Sequence, residues 1–397
     1  MFIIEYLSSI LCKLPEEMIT LIIISLVWFL LWLVTRKKLT KYGISIYPFV
    51  IIIRSEKLRK IIITFSQKYP RFVKYFSIAG LVVSIPVIFY SLFYLLIKII
   101  EGFHTPKMTS AQTGIFEFFT IPLPQLMIFV FVLTLSILFH EFSHGISCSI
   151  EKKSIKSVGI FYIFPFFLGG YVVPELDLDE LIEGEKRLLK SYAKMVAAGI
   201  FTTFLLTIIA FSFLINFNVV VSPFFKKGKG ALITRVIEKS PAWNRLHVGD
   251  VIIRINNTRI ASPKDVIIFI RNAGPNSLVV IYLLDRIVLI HLSSHPRNSK
   301  WGYLGVELFQ YYKPKIRILQ PIHAFYIYLT FFYGYALNFV LLIFNAIPIF
   351  IFDGGKVLWA ILNMKEKVGN RIFNAIQAFA VLLLIIFCIA FFLTKTP

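Results

Sequence analysis

Charge is what this sequence has least of. Only 16% of its 397 residues are Asp, Glu, Lys or Arg, while 57% are hydrophobic, a balance that a water-soluble chain of this length does not carry. Acidic residues are the scarcer half, 21 against 42 basic ones. Cysteine is nearly missing: Cys12, Cys148 and Cys388 are scattered, which leaves no disulfide framework and no CxxC site. The N-terminus also lacks the basic start and small-residue cleavage site of a signal peptide, having Glu5, Lys13, Glu16 and Glu17 instead, so its first apolar run is expected to be retained.

What the sequence has in abundance is long apolar runs. Six reach the roughly 20 residues needed to cross a hydrocarbon core as a helix: 18–35, 76–100, 121–150, 194–221, 321–349 and 372–394. The fold class that follows is a polytopic α-helical membrane protein with about six transmembrane helices. The excess of Lys and Arg sits beside these runs, as in Arg36-Lys37-Lys38 and Lys57-Leu58-Arg59-Lys60. Such clusters mark cytoplasmic loops and suit anionic lipid, so the net charge of +21 is assigned to the bilayer and not to nucleic acid. Counting crossings from the basic loop 36–74 places the N-terminus outside and Lys152, Lys153 and Lys156 inside. The segment from about 226 to 315 then falls outside, and Lys356, Lys365, Lys367 and Arg371 inside.

Two apolar segments, 44–53 and 159–174, are short, aromatic and β-branched with Pro or Gly breaks, and read as strands. Gly169-Gly170 is expected to turn a hairpin, either dipping into a cavity at membrane depth or lying on the cytoplasmic surface. Between 228 and 309 the pattern changes to short alternating strands around one helix, a small α+β domain. The expected organisation is an N-terminal membrane region (1–120), a first core half (121–225), the small domain (226–315), a second core half (316–365) and a final span (366–397).

The chemistry concentrates in His140-Glu141-Phe142-Ser143-His144, near the cytoplasmic end of an apolar run. Histidines four apart share one helical face, so both imidazoles reach one metal while Glu141 projects beside it. Zinc suits these ligands, and a catalytic zinc takes a third protein ligand plus a water. A carboxylate at membrane depth costs roughly 3 kcal/mol even on the lenient scale, so Glu141 is not a cheap surface choice. Asp353, in the distant apolar run Ile349-Phe350-Ile351-Phe352 and followed by Gly354-Gly355, fits the third ligand. Its alternative is a helix N-cap for 354–364, and both roles can hold at once.

These motifs resemble the site-2 protease family of intramembrane zinc metalloproteases. The resemblance covers roughly residues 121–365 and rests on HEFSHG at 140–145, Asn345-Ala346-Ile347-Pro348, Asp353-Gly354-Gly355 and an inserted small domain. It implies His140, His144 and Asp353 as zinc ligands, Glu141 as catalytic base and Asn345 as a residue that holds substrate or the transition state. Ala346 stands where the family often has Pro, and Thr203 where Asn is usual in the stretch Ala198-Gly199-Ile200-Phe201-Thr202-Thr203. The inserted domain resembles a PDZ domain. Its Gly302-Tyr303-Leu304-Gly305-Val306 looks like a final strand and the loop that binds peptide carboxylates, or a strand that merely closes the sheet.

The function implied is hydrolysis of peptide bonds in or near transmembrane segments, as in regulated intramembrane proteolysis, with membrane-protein substrates as partners. Gly169 and Gly170 belong to the expected substrate-holding edge, and the PDZ-like domain to a peptide or substrate ectodomain. The alternatives are a metal-ion transporter, in which His140, Glu141, His144 and Asp353 line a pathway, and a catalytically inactive membrane scaffold.

Overall fold

The computed structural model describes residues 25–30, 32, 33, 35, 43–47, 49–104, 121–150, 155–163, 167–175, 186–364 and 369–393. Half of the first expected span, 18–35, lies outside them. Among the described residues, five helices are long and apolar enough to cross a membrane. The chain divides into two compact units, one built from residues up to Ile208 together with Gly334 onward, the other from Ile209–Tyr333.

The first unit begins with strands β1 (Ile44–Tyr47) and β2 (Val50–Arg54). Ser55 then caps helix α1 (Glu56–Lys68), its hydroxyl accepting the Leu58 N–H, with Glu56 in the first turn and Lys68 in the last, as the helix dipole favours. Helix α2 (Pro70–His104) is long and apolar enough to cross a membrane, as is α3 (Leu123–Ile150). Strands β3 (Ile155–Ile163) and β4 (Phe167–Pro174) complete a four-stranded antiparallel sheet in the order β1-β2-β3-β4. The described residues of segments 44–53 and 159–174 thus lie in one sheet, of which β4 is an edge among the described residues.

Gly169 and Gly170 do not make the hairpin turn. They lie inside β4, opposite Phe161 and Ile160, and are small for reasons of contact. A Cβ on Gly169 would meet the Phe161 ring at 2.5 Å, and one on Gly170 would meet Leu138 of α3 at 2.9 Å. The missing side chain of Gly170 lets β4 lie directly on the helix that carries the histidines, while that of Gly169, on the other face, leaves room for the Phe161 ring.

Helix α4 (Lys186–Ile215) is the third helix among the described residues long and apolar enough to cross a membrane. Close approaches tie the helices of this unit together. A Cβ on Gly80 of α2 would sit 3.1 Å from the Ala197 carbonyl, and Ser77 and Ser147 share a 2.7 Å hydrogen bond between α2 and α3. Buried hydroxyls such as Ser66, Ser77, Ser136 and Thr203 donate to the carbonyl one turn back in their own helices, so they cost little at depth.

The second unit takes in the short helix α5 (Phe217–Val221) and strands β5 (Phe225–Val236), β6 (Val251–Ile255) and β7 (Thr258–Arg259). Helix α6 (Pro263–Ala273) follows, begun by Pro263 and by the Asp265 carboxylate accepting the Ser262 N–H at 2.8 Å. Then come β8 (Leu278–Leu283), β9 (Ile287–His291), β10 (Ser293–His295), β11 (Asn298–Tyr303) and β12 (Val306–Pro314). The main sheet runs β12-β5-β6-β8-β9, with β7 on β6. Its core is Ile233, Ile252, Ile255, Ile281, Ile290 and their neighbours.

Residues 302–306 are not one closing strand. Gly302 and Tyr303 end β11, Val306 opens β12, and the last strand is β12 itself. Gly305 breaks the run because its φ of +82° belongs to the left-handed region, and its Cβ would fall on Ser240.

Helix α7 (Pro321–Ala346) ends three residues earlier than the expected span, and α8 (Asp353–Asn363) and α9 (Gly369–Leu393) close the chain's described part.

Candidate active site

Helix α3 sets His140 and His144 one turn apart, and a second helix pins both rings from behind. The hydroxyl of Thr203 on α4 donates to the Gly199 carbonyl at 2.7 Å, so toward His140 Nδ1, 3.2 Å away, it can only accept. His144 Nδ1 donates to the Met195 carbonyl at 3.0 Å. Both protons are thereby held on Nδ1, and both Nε2 lone pairs are turned to the same point, the arrangement that orients metal-ligating imidazoles. Gly199 lies between these two contacts: a Cβ there would come within 2.5 Å of His144 Nε2 and 2.7 Å of His140 Cε1.

Asp353 arrives from the far half of the sequence. Its helix, α8, has Phe352 as N-cap without a side-chain bond, so Asp353 is the first helical residue and not the cap. Gly354 and Gly355 allow that first turn to lie backbone against backbone on Ala346 and Ile349, where any Cβ would overlap them. The carboxylate is split between two tasks. Oδ2 lies 3.0 Å from His140 Nε2 and 3.1 Å from His144 Nε2, and Oδ1 lies 3.3 Å from Lys356 Nζ.

The two Nε2 atoms are themselves 3.1 Å apart. Three donor atoms of types N, N and O therefore stand at the corners of a nearly equilateral triangle about 3 Å on edge, close to the roughly 3.3 Å edge of a zinc tetrahedron with bonds near 2.05 Å. His140 and Asp353 are buried, which a carboxylate and an imidazole tolerate when they share a cation. The donor set and geometry fit zinc.

Glu141 stands beside this triangle, its carboxylate within 4.8 Å of the histidine ligand atoms. It is held from the sheet side: Oε2 accepts the Val172 N–H of β4 at 3.1 Å. Beside it opens a cavity of about 290 Å³, lined by Leu58 and Ile62 of α1, Leu138 and Phe142 of α3, and Val158 and Val172 of the sheet.

His140, Glu141, His144 and Asp353 are thus brought together, as the sequence motifs require. Asn345 lies half-buried in the last turn of α7 and its side chain makes no hydrogen bond among the described residues. Gly170 lines the cavity, and Gly169 is its neighbour on β4. Residues 302–306 belong to the other unit. Their carbonyls are used internally, Leu304 O by the Ala242 N–H at 3.0 Å and Gly305 O by the Ile237 N–H at 2.9 Å. Burial, reinforced by the Glu307 carboxylate, pushes the Tyr303 phenol above its usual pKa, so it is a neutral donor at physiological pH. Met195, Val172 and Lys356 are not singled out as site residues by their sequence, and Thr203 only as the position where the resembled family usually has Asn.

Residues 128–388 match a family model described as Peptidase family M50. An uncharacterized protein of Methanocaldococcus jannaschii is 25% identical over 251 residues, which are 62% of this chain and 60% of that protein. A membrane-bound transcription factor site-2 protease homolog of Arabidopsis thaliana is 23% identical over 159 residues, 40% of this chain and 30% of that protein. The chain spans less than two thirds of either relative. Among solved structures, the PDZ domain of an SdrC-like protein from Listeria monocytogenes aligns with 22% identity over 20% of this chain and 87% of that one, at a TM-score of 0.19.

Proposed function

The chain belongs to peptidase family M50, the site-2 protease family, and on that premise we propose that it is a zinc-dependent endopeptidase cutting peptide bonds in or beside transmembrane segments of other membrane proteins. The observation that carries this reading is the triangle of His140 Nε2, His144 Nε2 and Asp353 Oδ2 with the Glu141 carboxylate at its side. Zinc held there supplies a Lewis acid that polarises a carbonyl and acidifies water.

The remaining steps belong to the chain's own groups. A peptide bond inside a helix has its carbonyl engaged, so the substrate must unwind before it can react, and an unwound segment needs new partners. Strand β4 offers them, because the Val172 N–H faces away from β3 toward its free edge. Gly170, two residues before it, presents its backbone on the same side. A substrate carbonyl that takes the Val172 N–H releases Glu141 Oε2. The freed carboxylate then accepts the proton of the attacking water and returns it to the leaving amine nitrogen. The apolar cavity beside Glu141 receives a side chain flanking the cut bond.

The finer assignments rest on sequence. Asn345 contacts the substrate, the segment 302–306 takes a peptide or substrate ectodomain, and the small domain is extracytoplasmic with the metal site toward the cytoplasm. The pairing of β2 with β3 supports putting the loops 36–74 and 151–185 on one side of the membrane, as the distribution of Lys and Arg requires. Such cleavage is the chemistry of regulated intramembrane proteolysis.

The test is reconstitution with a tagged single-span substrate. Fragment release that a zinc chelator abolishes and added zinc restores is the expected result. Zinc flux across the vesicle without any cleavage would favour a transporter.

A further inference from the structure

Helix α1 presents two unlike faces. Ile62 and Ser66 are buried against α3: the Ser66 hydroxyl lies 3.2 Å from the Ile146 carbonyl, and a Cβ on Gly145 would touch Ile62 at 2.9 Å. Phe65 meets Phe142 edge-on at 5.8 Å. The opposite face is exposed and carries Lys57, Lys60, Ile61, Thr64 and Lys68, which with Tyr69 border a cleft of about 420 Å³. None of the three lysines has an acidic partner among the described residues. Glu56, the nearest acid, is taken by Arg59 at 2.9 Å.

The position of this cleft says what fills it. Helix α2, long and apolar enough to cross a membrane, starts at Pro70, directly after Tyr69, so α1 adjoins the end of a candidate span. Arg71, Phe72, Lys74 and Tyr75, in the first turns of α2, are exposed as well. Cations interleaved with exposed aromatic and aliphatic groups at that position match the membrane interface, where amphipathic rings sit at headgroup level and lysines meet lipid phosphates.

We propose that Lys57, Lys60 and Lys68 form a binding site on α1 for the phosphate headgroup of an acidic phospholipid, with Ile61 and Tyr69 in contact with its acyl and glycerol region. Because the other face of α1 packs on α3 and lines the cavity beside Glu141, an occupied site fastens the support of the histidine-bearing helix to the bilayer.

A fluorophore on Thr64→Cys, with Cys12 and Cys388 changed to Ser, reports the cleft directly. The protein is reconstituted in mixed phosphatidylglycerol and phosphatidylcholine vesicles in which one lipid or the other carries a bromine quencher. Brominated phosphatidylglycerol should quench at least about five-fold more per molecule, since even one lysine near an anionic surface contributes roughly that factor. The preference should vanish in Lys57→Gln/Lys60→Gln/Lys68→Gln and return in the corresponding triple Arg variant. Equal quenching by both lipids in the protein with native lysines overturns the proposal. So does loss of the preference on adding glycerol 3-phosphate, which would identify a site for free phosphate.

Discussion

The backbone N–H of Val172 donates to the Glu141 carboxylate across 3.1 Å, joining the edge strand to the acid beside His140 and His144. The contact needs only an acceptor, so an amide can replace the carboxylate without disturbing the sheet, whereas an amide cannot take a proton from water. Glu141→Gln should therefore retain about one zinc per chain and lose cleavage by about 10²–10⁴-fold, the range for a general base. Asp353→Ala should show the reverse order of effects, losing the metal first. Metal analysis beside a substrate-cleavage assay separates the two, and substantial turnover by Glu141→Gln would point to another base.

The contacts of α4 make a sharper claim about the metal. Thr203→Val removes the oxygen that accepts from His140 Nδ1 while keeping the shape, and zinc affinity should fall about 10–100-fold, as for other partners of metal-bound histidine. Thr203→Ser should restore most of it. Gly199→Ala should be worse than Thr203→Val, because its methyl would press on both rings at 2.4–2.7 Å. Competition with a fluorescent zinc chelator reads all three without any substrate. Unchanged affinity in Gly199→Ala would mean the rings are not held where the structure has them.

Much of this arrangement is legible in the order of the residues alone. His140, Glu141 and His144 are adjacent in sequence, and helical geometry by itself puts the two imidazoles on one face. Asp353 stands out because a carboxylate in an apolar run is expensive and the two glycines after it signal a close approach. The alternation read in the small domain corresponds to a strand at Val251–Ile255, whereas β5 begins earlier in its run, at Phe225, where the Lys-Gly-Lys-Gly stretch hides it. What the sequence conceals is partnership between distant backbones. Val172 is apolar and contributes its N–H, Met195 its carbonyl, and neither contribution leaves a mark in residue type. The glycines of β4 mislead for the same reason. Gly-Gly reads as a turn unless one knows that Phe161 and Leu138 occupy the space where the side chains would be.

The cavity beside Glu141 yields the last prediction. Its lining, from Leu58 and Ile62 to Val158 and Val172, offers no charge besides Glu141 itself. At about 290 Å³ it is large enough for a Leu or Phe side chain, whose burial contributes roughly 1.5–3 kcal/mol, or about 10–100-fold in rate if realised in the transition state. Substrates scanned with Gly, Ala, Leu and Phe at each residue flanking the cut bond should show one position favouring Leu or Phe by about ten-fold or more. Filling the cavity should invert that preference. Val158→Phe puts a ring into it from β3, and Leu58→Phe does so from its partly buried edge on α1, so two variants with unrelated effects on folding should produce the same shift. The ratio between substrates is the readout, because a variant that only destabilises the protein slows all of them alike. Cleavage with the ratio unchanged in both variants would assign the side chain to another pocket, while the zinc site and its chemistry would stand.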